Sequence, residues 1–262
     1  MAEVVIVGTP AEAGGIAAEF IARLVARKPD AVLGLATGST PLPVWTALAE
    51  RAKDPARPLD LERVRGFALD EYLGLPAGHS QSYRAVIDRE VVEPLGLDPA
   101  LVHVPGDDGG PVEGAGERYE AAIAAAGGVD LQVLGIGRTG HIGFNEPGSS
   151  LASRTRVKTL TEQTRADNAR FFPTPGEVPT HCLTQGLGTI LDARHLVLLA
   201  FGEAKAPAIA GAVEGPVSAS LPGSAIQLHP QVTVIVDEAA ASGLAYRDYY
   251  RFAWDNRLAF ER

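Results

Sequence analysis

Short apolar runs alternate with amphipathic stretches along most of the chain. Residues 4–7, 31–35, 64–69, 101–104, 131–136, 195–201 and 232–236 are dominated by Val, Ile, Leu, Ala and Phe. Runs of that length and composition suit strands buried on both faces. Between them, Ala17, Phe20, Ile21, Leu24 and Val25 recur at helical spacing, a helix is expected after Pro41, another over 115–126, and another after Lys205. This βαβ rhythm predicts an α/β fold with a doubly wound, mostly parallel sheet, a Rossmann-like three-layer sandwich. No Pro/Ser-rich linker or internal repeat divides residues 1–262, which read as a single domain.

In such a sheet ligands bind beyond the carboxyl ends of the strands, so the polar residues that follow each apolar run are the candidates for chemistry. After 31–35 come Thr37, Gly38, Ser39 and Thr40, with Pro41 suited to a first helical turn. Backbone N–H groups and hydroxyls would converge there on an anion at a helix N-terminus. The loop lacks the Gly-Lys-Ser/Thr of a nucleotide P-loop and the Gly-x-Gly-x-x-Gly of a dinucleotide site. Taken alone, it is equally well explained as a capped helix start. After 64–69 come Asp70 and Glu71, of which strand alternation lets only one face a central crevice.

After 131–136 comes a glycine-rich loop carrying Gly137, Thr139, His141 and Glu146. Glycine allows close backbone approach to a ligand, and a histidine beside a carboxylate is suited to acid–base work. After 195–201 comes Lys205 in the opening turn of a helix, where the macrodipole disfavours a cation unless an anion lies nearby. Each signal has a bland reading, whether a cap, a loop histidine or a surface lysine. All four fall at one edge of one predicted sheet, and together they describe a pocket. Its phosphate end would be residues 37–40 with Lys205, and Asp70, His141 and Glu146 would face a small polar body.

Charge narrows the ligands. The chain carries 23 Lys and Arg against 32 Asp and Glu, a net charge of -9, which argues against nucleic acid or an anionic membrane as partner. An anionic ligand therefore needs a local positive site. The single cysteine, Cys182, rules out an internal disulfide, fits a reducing compartment and reads as a small buried hydrophobe. The first apolar run is too short for a signal peptide or a membrane span, so a cytoplasmic location is expected. His103, His181, His195 and His229 are scattered without zinc spacing, so no metal is expected, and His195 and His229 read as structural residues flanking strands.

Several longer segments carry a resemblance: LGLATGSTP, FALDEYLGLPAGHSQSYR, LGIGRTGHIGFNEPGSSLASRTRVKTLT, RADNARFF and VEGPVSASLPGSAIQLHP. Over most of its length the chain resembles the glucosamine-6-phosphate deaminase family. Phe-Asn-Glu-Pro followed by Ser-Ser-Leu-Ala-Ser-Arg-Thr-Arg is similar to that family rather than to 6-phosphogluconolactonases, which share the Gly-rich loop and histidine. The resemblance implies a cofactor-free aldose–ketose isomerisation with hydrolytic loss of ammonia, converting D-glucosamine 6-phosphate to D-fructose 6-phosphate. It further implies that His141, oriented by Glu146, moves the proton that opens the sugar ring. Asp70 is then the base that carries a proton from C2 to C1. Gly38, Ser39 and Thr40, with Arg170 of the RADNARFF helix and Lys205, are implied to bind the phosphate.

The chain departs from the family pattern at Thr139, where Asp or Asn is usual. A hydroxyl there can hydrogen-bond the imidazole but cannot offset a positive charge on it, so Glu146 is expected to be the main partner of His141. Ser149, Arg156 and Lys158 match positions that bind N-acetylglucosamine 6-phosphate between subunits in hexameric relatives, and they read equally well as a solvated strand edge. Oligomeric state is open between monomer and hexamer. Rival functions are a lactonase on 6-phosphogluconolactone, the same chemistry on the galactosamine epimer, and a non-enzymatic sugar-phosphate sensor.

Overall fold

The computed structural model describes residues 2–258; Met1 and residues 259–262, the ends of the expected 1–262 unit, lie outside the described residues. Ten strands form in chain order: β1 Glu3–Val7, β2 Val32–Leu35, β3 Arg65–Ala68, β4 Asp70–Leu73, β5 Val102–His103, β6 Leu131–Gly135, β7 Arg156–Thr159, β8 His181–Thr184, β9 Leu196–Ala200 and β10 Val232–Asp237. The seven apolar runs of the sequence supply one parallel sheet in the order β1-β10-β9-β6-β2-β3-β5. Its central strands β2 and β9 are buried at every position, as expected of a parallel sheet covered by helices on both faces.

The helix Pro10–Arg27 starts where Thr9 accepts a hydrogen bond from the Glu12 N–H at 3.1 Å and Pro10 occupies the first turn. It buries Ala13, Ala17, Ile21 and Val25 on one stripe and packs against the helix Leu42–Ala52, which buries Val44, Trp45 and Leu48. Asp130 ties β2 to β6 at their amino ends. Its buried carboxylate accepts from the Val32 N–H at 2.8 Å and pairs with Lys28 at 2.7 Å and Arg194 at 3.0 Å. Among the described residues no helix is long and apolar enough to cross a membrane.

From β2 the chain builds outward through β3 to β5, and from β6 it builds the other way through β9 to β10, so the sheet reverses direction between β2 and β6. A crevice beyond the carboxyl ends of the strands is expected at that reversal. Sequence reasoning places Asp70 just past a single strand, 64–69. Instead β3 ends at Ala68, and Asp70 is the first residue of β4, in a separate antiparallel sheet ordered β4-β8-β7. Gln185 holds the junction: its N–H donates to the Leu69 carbonyl at 2.7 Å and its side-chain amide to the Ala68 carbonyl at 3.1 Å. Tyr72, Phe144, Leu160, Phe172, Val178 and Cys182 form a second apolar cluster under this small sheet.

Candidate active site

One cavity of about 420 Å³ opens at the reversal point and is lined by Thr37, Gly38, Ser39, Thr40, Asp70, Gly137, His141, Arg170 and Lys205. Apart from Arg170, these residues follow β2, β3, β6 and β9 in the chain, with Asp70 two positions past β3 at the start of β4, so the structure gathers the four separate sequence signals at one place. Residues 37–40 form a tight turn in which Gly38 takes φ 92°, a conformation that suits glycine. Among the described residues no protein acceptor takes the N–H groups of Gly38, Ser39 or Thr40, which leaves them to a ligand. Pro41 stands just before the helix, one position earlier than expected, and Trp45 fixes the loop's stem by donating to the Ala36 carbonyl at 3.3 Å.

Asp70 is 7% exposed, and its carboxyl receives no hydrogen bond from any side chain or backbone N–H among the described residues. Burial, reinforced by the Glu71 charge, pushes its carboxyl well above the usual carboxylate range. The neighbouring Glu71 turns the other way, as strand alternation requires, and accepts from the N–H groups of Tyr72, Tyr83 and Arg84 at 2.7–2.8 Å. A lone carboxylate in a dry wall is a stronger base than a solvated one, and its lone pairs are free for a substrate proton.

His141 lies against Gly137. A Cβ added at Gly137 would fall 2.1–2.5 Å from the imidazole ring, so only glycine admits the histidine here. The Gly137 N–H closes the loop by donating to the His141 carbonyl at 2.8 Å. Thr139 joins Glu146 as a partner of the ring. Its hydroxyl stands 2.8 Å from His141 Nδ1 and 3.2 Å from Glu146 Oε2, whereas Nδ1 and Oε2 are 3.4 Å apart. Thr161 and Thr164 donate to Glu146 Oε1. Burial pushes Glu146 up, but the hydrogen bonds from His141 and Thr164 outweigh it and hold the carboxyl at about 2.

An ionised carboxylate accepts only, so the Thr139 hydroxyl donates to Glu146 Oε2, and a hydrogen on His141 Nδ1 is shared between Thr139 Oγ1 and Glu146 Oε2. Nε2 then carries the lone pair. A short hydroxyl relay thus fixes the imidazole tautomer that a base needs.

Lys205 lies in a 3-10 turn, Glu203–Lys205, that precedes the helix Ala206–Val213, and its ammonium donates to the Ile136 carbonyl at 2.7 Å. Burial lowers its pKa, Asp167 opposes that, and the nearby Arg170 and Arg138 lower it further. An anion among these three cations would relieve their repulsion. Arg170 sits in a 3-10 turn, Ala169–Phe171, and not within the helix Glu162–Asn168 that precedes it, with its guanidinium 4.7 Å from the Phe171 ring centroid.

Sequence reasoning missed Tyr72, Tyr83, Arg138 and Asn168, which also line the cavity. The alternation that separates Asp70 from Glu71 could have flagged Tyr72, two residues along the same face. Ser149, Arg156 and Lys158 do not join the cavity. Arg156 and Lys158 share one face of β7, and Ser149 is buried with its hydroxyl unpartnered.

The fold and this loop geometry define a Rossmann-like α/β protein that sets a buried aspartate and a histidine in one cavity with a loop of unpaired backbone N–H groups. More particularly, residues 10–235 match the family described as glucosamine-6-phosphate isomerases/6-phosphogluconolactonase, and the chain belongs to that family. It is 61% identical over 270 residues to a glucosamine-6-phosphate deaminase of Bifidobacterium longum, covering 100% of this chain and 99% of the relative. It is 60% identical to one of Streptomyces avermitilis, covering 96% of each. Among solved structures, a monomeric glucosamine-6-phosphate deaminase superposes with a TM-score of 0.88 at 41% identity, over 92% of this chain and 99% of that one. A 6-phosphogluconolactonase from Leishmania guyanensis, at 23% identity and a TM-score of 0.70, shares the fold.

Proposed function

We propose that the protein, acting as one domain in the cytoplasm, converts D-glucosamine 6-phosphate and water to D-fructose 6-phosphate and ammonia without a cofactor. Residues 37–40 with Arg170 and Lys205 grip the phosphate, so that remote binding energy positions the sugar. Nε2 of His141, held through Thr139 and Glu146, moves the proton that opens the ring. Asp70 removes the C2 proton from the open-chain amino sugar and returns it to C1 through an enolamine. The resulting C2 imine takes up water and releases ammonia.

The observation that carries this reading is the buried Asp70 carboxyl, free of hydrogen-bond donors and facing the same cavity as His141 and Lys205. A lactonase needs a histidine and a phosphate grip but no base for a carbon acid. The likeness to a solved deaminase described as monomeric favours a single-chain unit, in which half-buried Arg156 and Lys158 and buried Ser149 do not form an intersubunit activator site.

The test is incubation of the purified protein with glucosamine 6-phosphate, without metal or nucleotide, following ammonia and fructose 6-phosphate together. Equal release of both is expected. Absence of ammonia, or ammonia from the galactosamine epimer alone, overturns the assignment.

A further inference from the structure

Tyr72 follows Asp70 by two residues on β4, so both side chains lie on the same face, and Tyr72 is a 5% exposed wall of the cavity. Its hydroxyl oxygen is fully engaged as an acceptor. The Asn168 side-chain amide donates to it at 2.9 Å and the Tyr83 hydroxyl at 3.3 Å. Tyr83 in turn lines the same cavity as Thr37 of the anion loop, which lies near enough to pull the Tyr83 phenol's pKa down against its burial. A phenol has one hydrogen and two lone pairs. With both lone pairs taken, the Tyr72 hydrogen is unspent, and among the described residues no protein group accepts it.

The chain Thr37–Tyr83–Tyr72 runs from the phosphate loop toward Asp70. A linear sugar phosphate anchored at residues 37–40 with C2 at Asp70 must lay its middle carbons along that chain. In an extended carbon chain, substituents alternate sides, so the wall that meets C2 also meets C4.

We propose that Tyr72 is a specificity residue that donates its hydroxyl hydrogen to the C4 hydroxyl of the sugar phosphate, and so discriminates the gluco from the galacto epimer. The assignment rests on the sugar-phosphate reading above. Asn168 and Tyr83 are positioning residues, because they hold the donor in its direction and leave it nothing else to bind.

The test is binding, without turnover, of fructose 6-phosphate and its C4 epimer, tagatose 6-phosphate, to the wild-type protein, Tyr72→Phe and Tyr83→Phe by calorimetry. Wild type should favour fructose 6-phosphate, and Tyr72→Phe should shrink that preference about tenfold, the value of one hydrogen bond at a desolvated site. Tyr83→Phe should shrink it by a smaller factor. A mere packing defect would weaken both ligands equally and leave their ratio fixed. If fructose 6-phosphate binds and Tyr72→Phe leaves the ratio within twofold of wild type, Tyr72 does not read C4. If neither ligand binds the wild type, the sugar-phosphate reading fails and this assignment falls with it.

Discussion

Two buried carboxyl groups in one site are driven in opposite directions, and that opposition separates their work. Glu146 has three hydroxyls around it and stays ionised to about 2, whereas Asp70 has no donor and is pushed up by burial. The signs for stability follow. Glu146 contributes stability above its ordinary value of 4.5, which is lost as pH falls toward 2. Asp70 binds its proton more tightly folded than unfolded, so its ionisation costs stability increasingly as pH rises from 3.8 through the raised folded value. Asp70→Asn should therefore raise Tm by about 3 °C at pH 8, on the order of 1 kcal/mol, with a smaller gain near pH 4, as thermal scans at the two pH values would record. Thr139→Val removes the hydroxyl that joins His141 to Glu146. It should lower kcat/KM on the closed sugar about tenfold with little change in Tm, and unchanged kinetics would remove Thr139 from the acid–base relay.

At the scale of elements, the site depends on β2 and β6 lying side by side, because one delivers the anion loop and the other the histidine loop. Asp130 clamps that pair at its far end through Val32, Lys28 and Arg194. Asp130→Ala leaves a buried N–H unpaired and two cations unmatched, and should cost about 2 kcal/mol in urea unfolding, a figure moderated by the partial exposure of both cations. The strands of the main sheet were legible in the sequence because burial on both faces makes them continuous apolar runs. The small sheet was not. Its strand β7 alternates half-buried Arg156 and Lys158 with exposed Val157 and Thr159, a pattern without an apolar face to read. Missing that sheet hid the reason Asp70 is fixed: it begins a strand paired to Thr184, whose hydroxyl accepts the Phe144 N–H at 3.0 Å. Thr161, Thr164 and Asn168 reach the site only through folding across long sequence separations, which no local spacing reveals.

For the whole molecule, a net charge of -9 surrounds a cavity edged by Arg138, Arg170 and Lys205. Such a local cationic site within an acidic protein selects small anions over polyanions. The pH dependence of turnover should carry the mark of the same cavity. Because the proposed mechanism requires the base form of Asp70 and burial raises its pKa, the acid limb of kcat/KM should lie above the ordinary carboxylate range and disappear as a resolved limb when residue 70 cannot ionise. The central claim is that Asp70 carries hydrogen between C2 and C1. It is tested most directly by NMR of fructose 6-phosphate incubated with ammonium in deuterium oxide, so that the C2 imine can form, with wild-type protein and with Asp70→Asn. The account predicts deuterium entering C1 with the wild type and, with Asp70→Asn, exchange slowed at least about a thousandfold while fructose 6-phosphate still binds. Exchange at the wild-type rate in Asp70→Asn would contradict it.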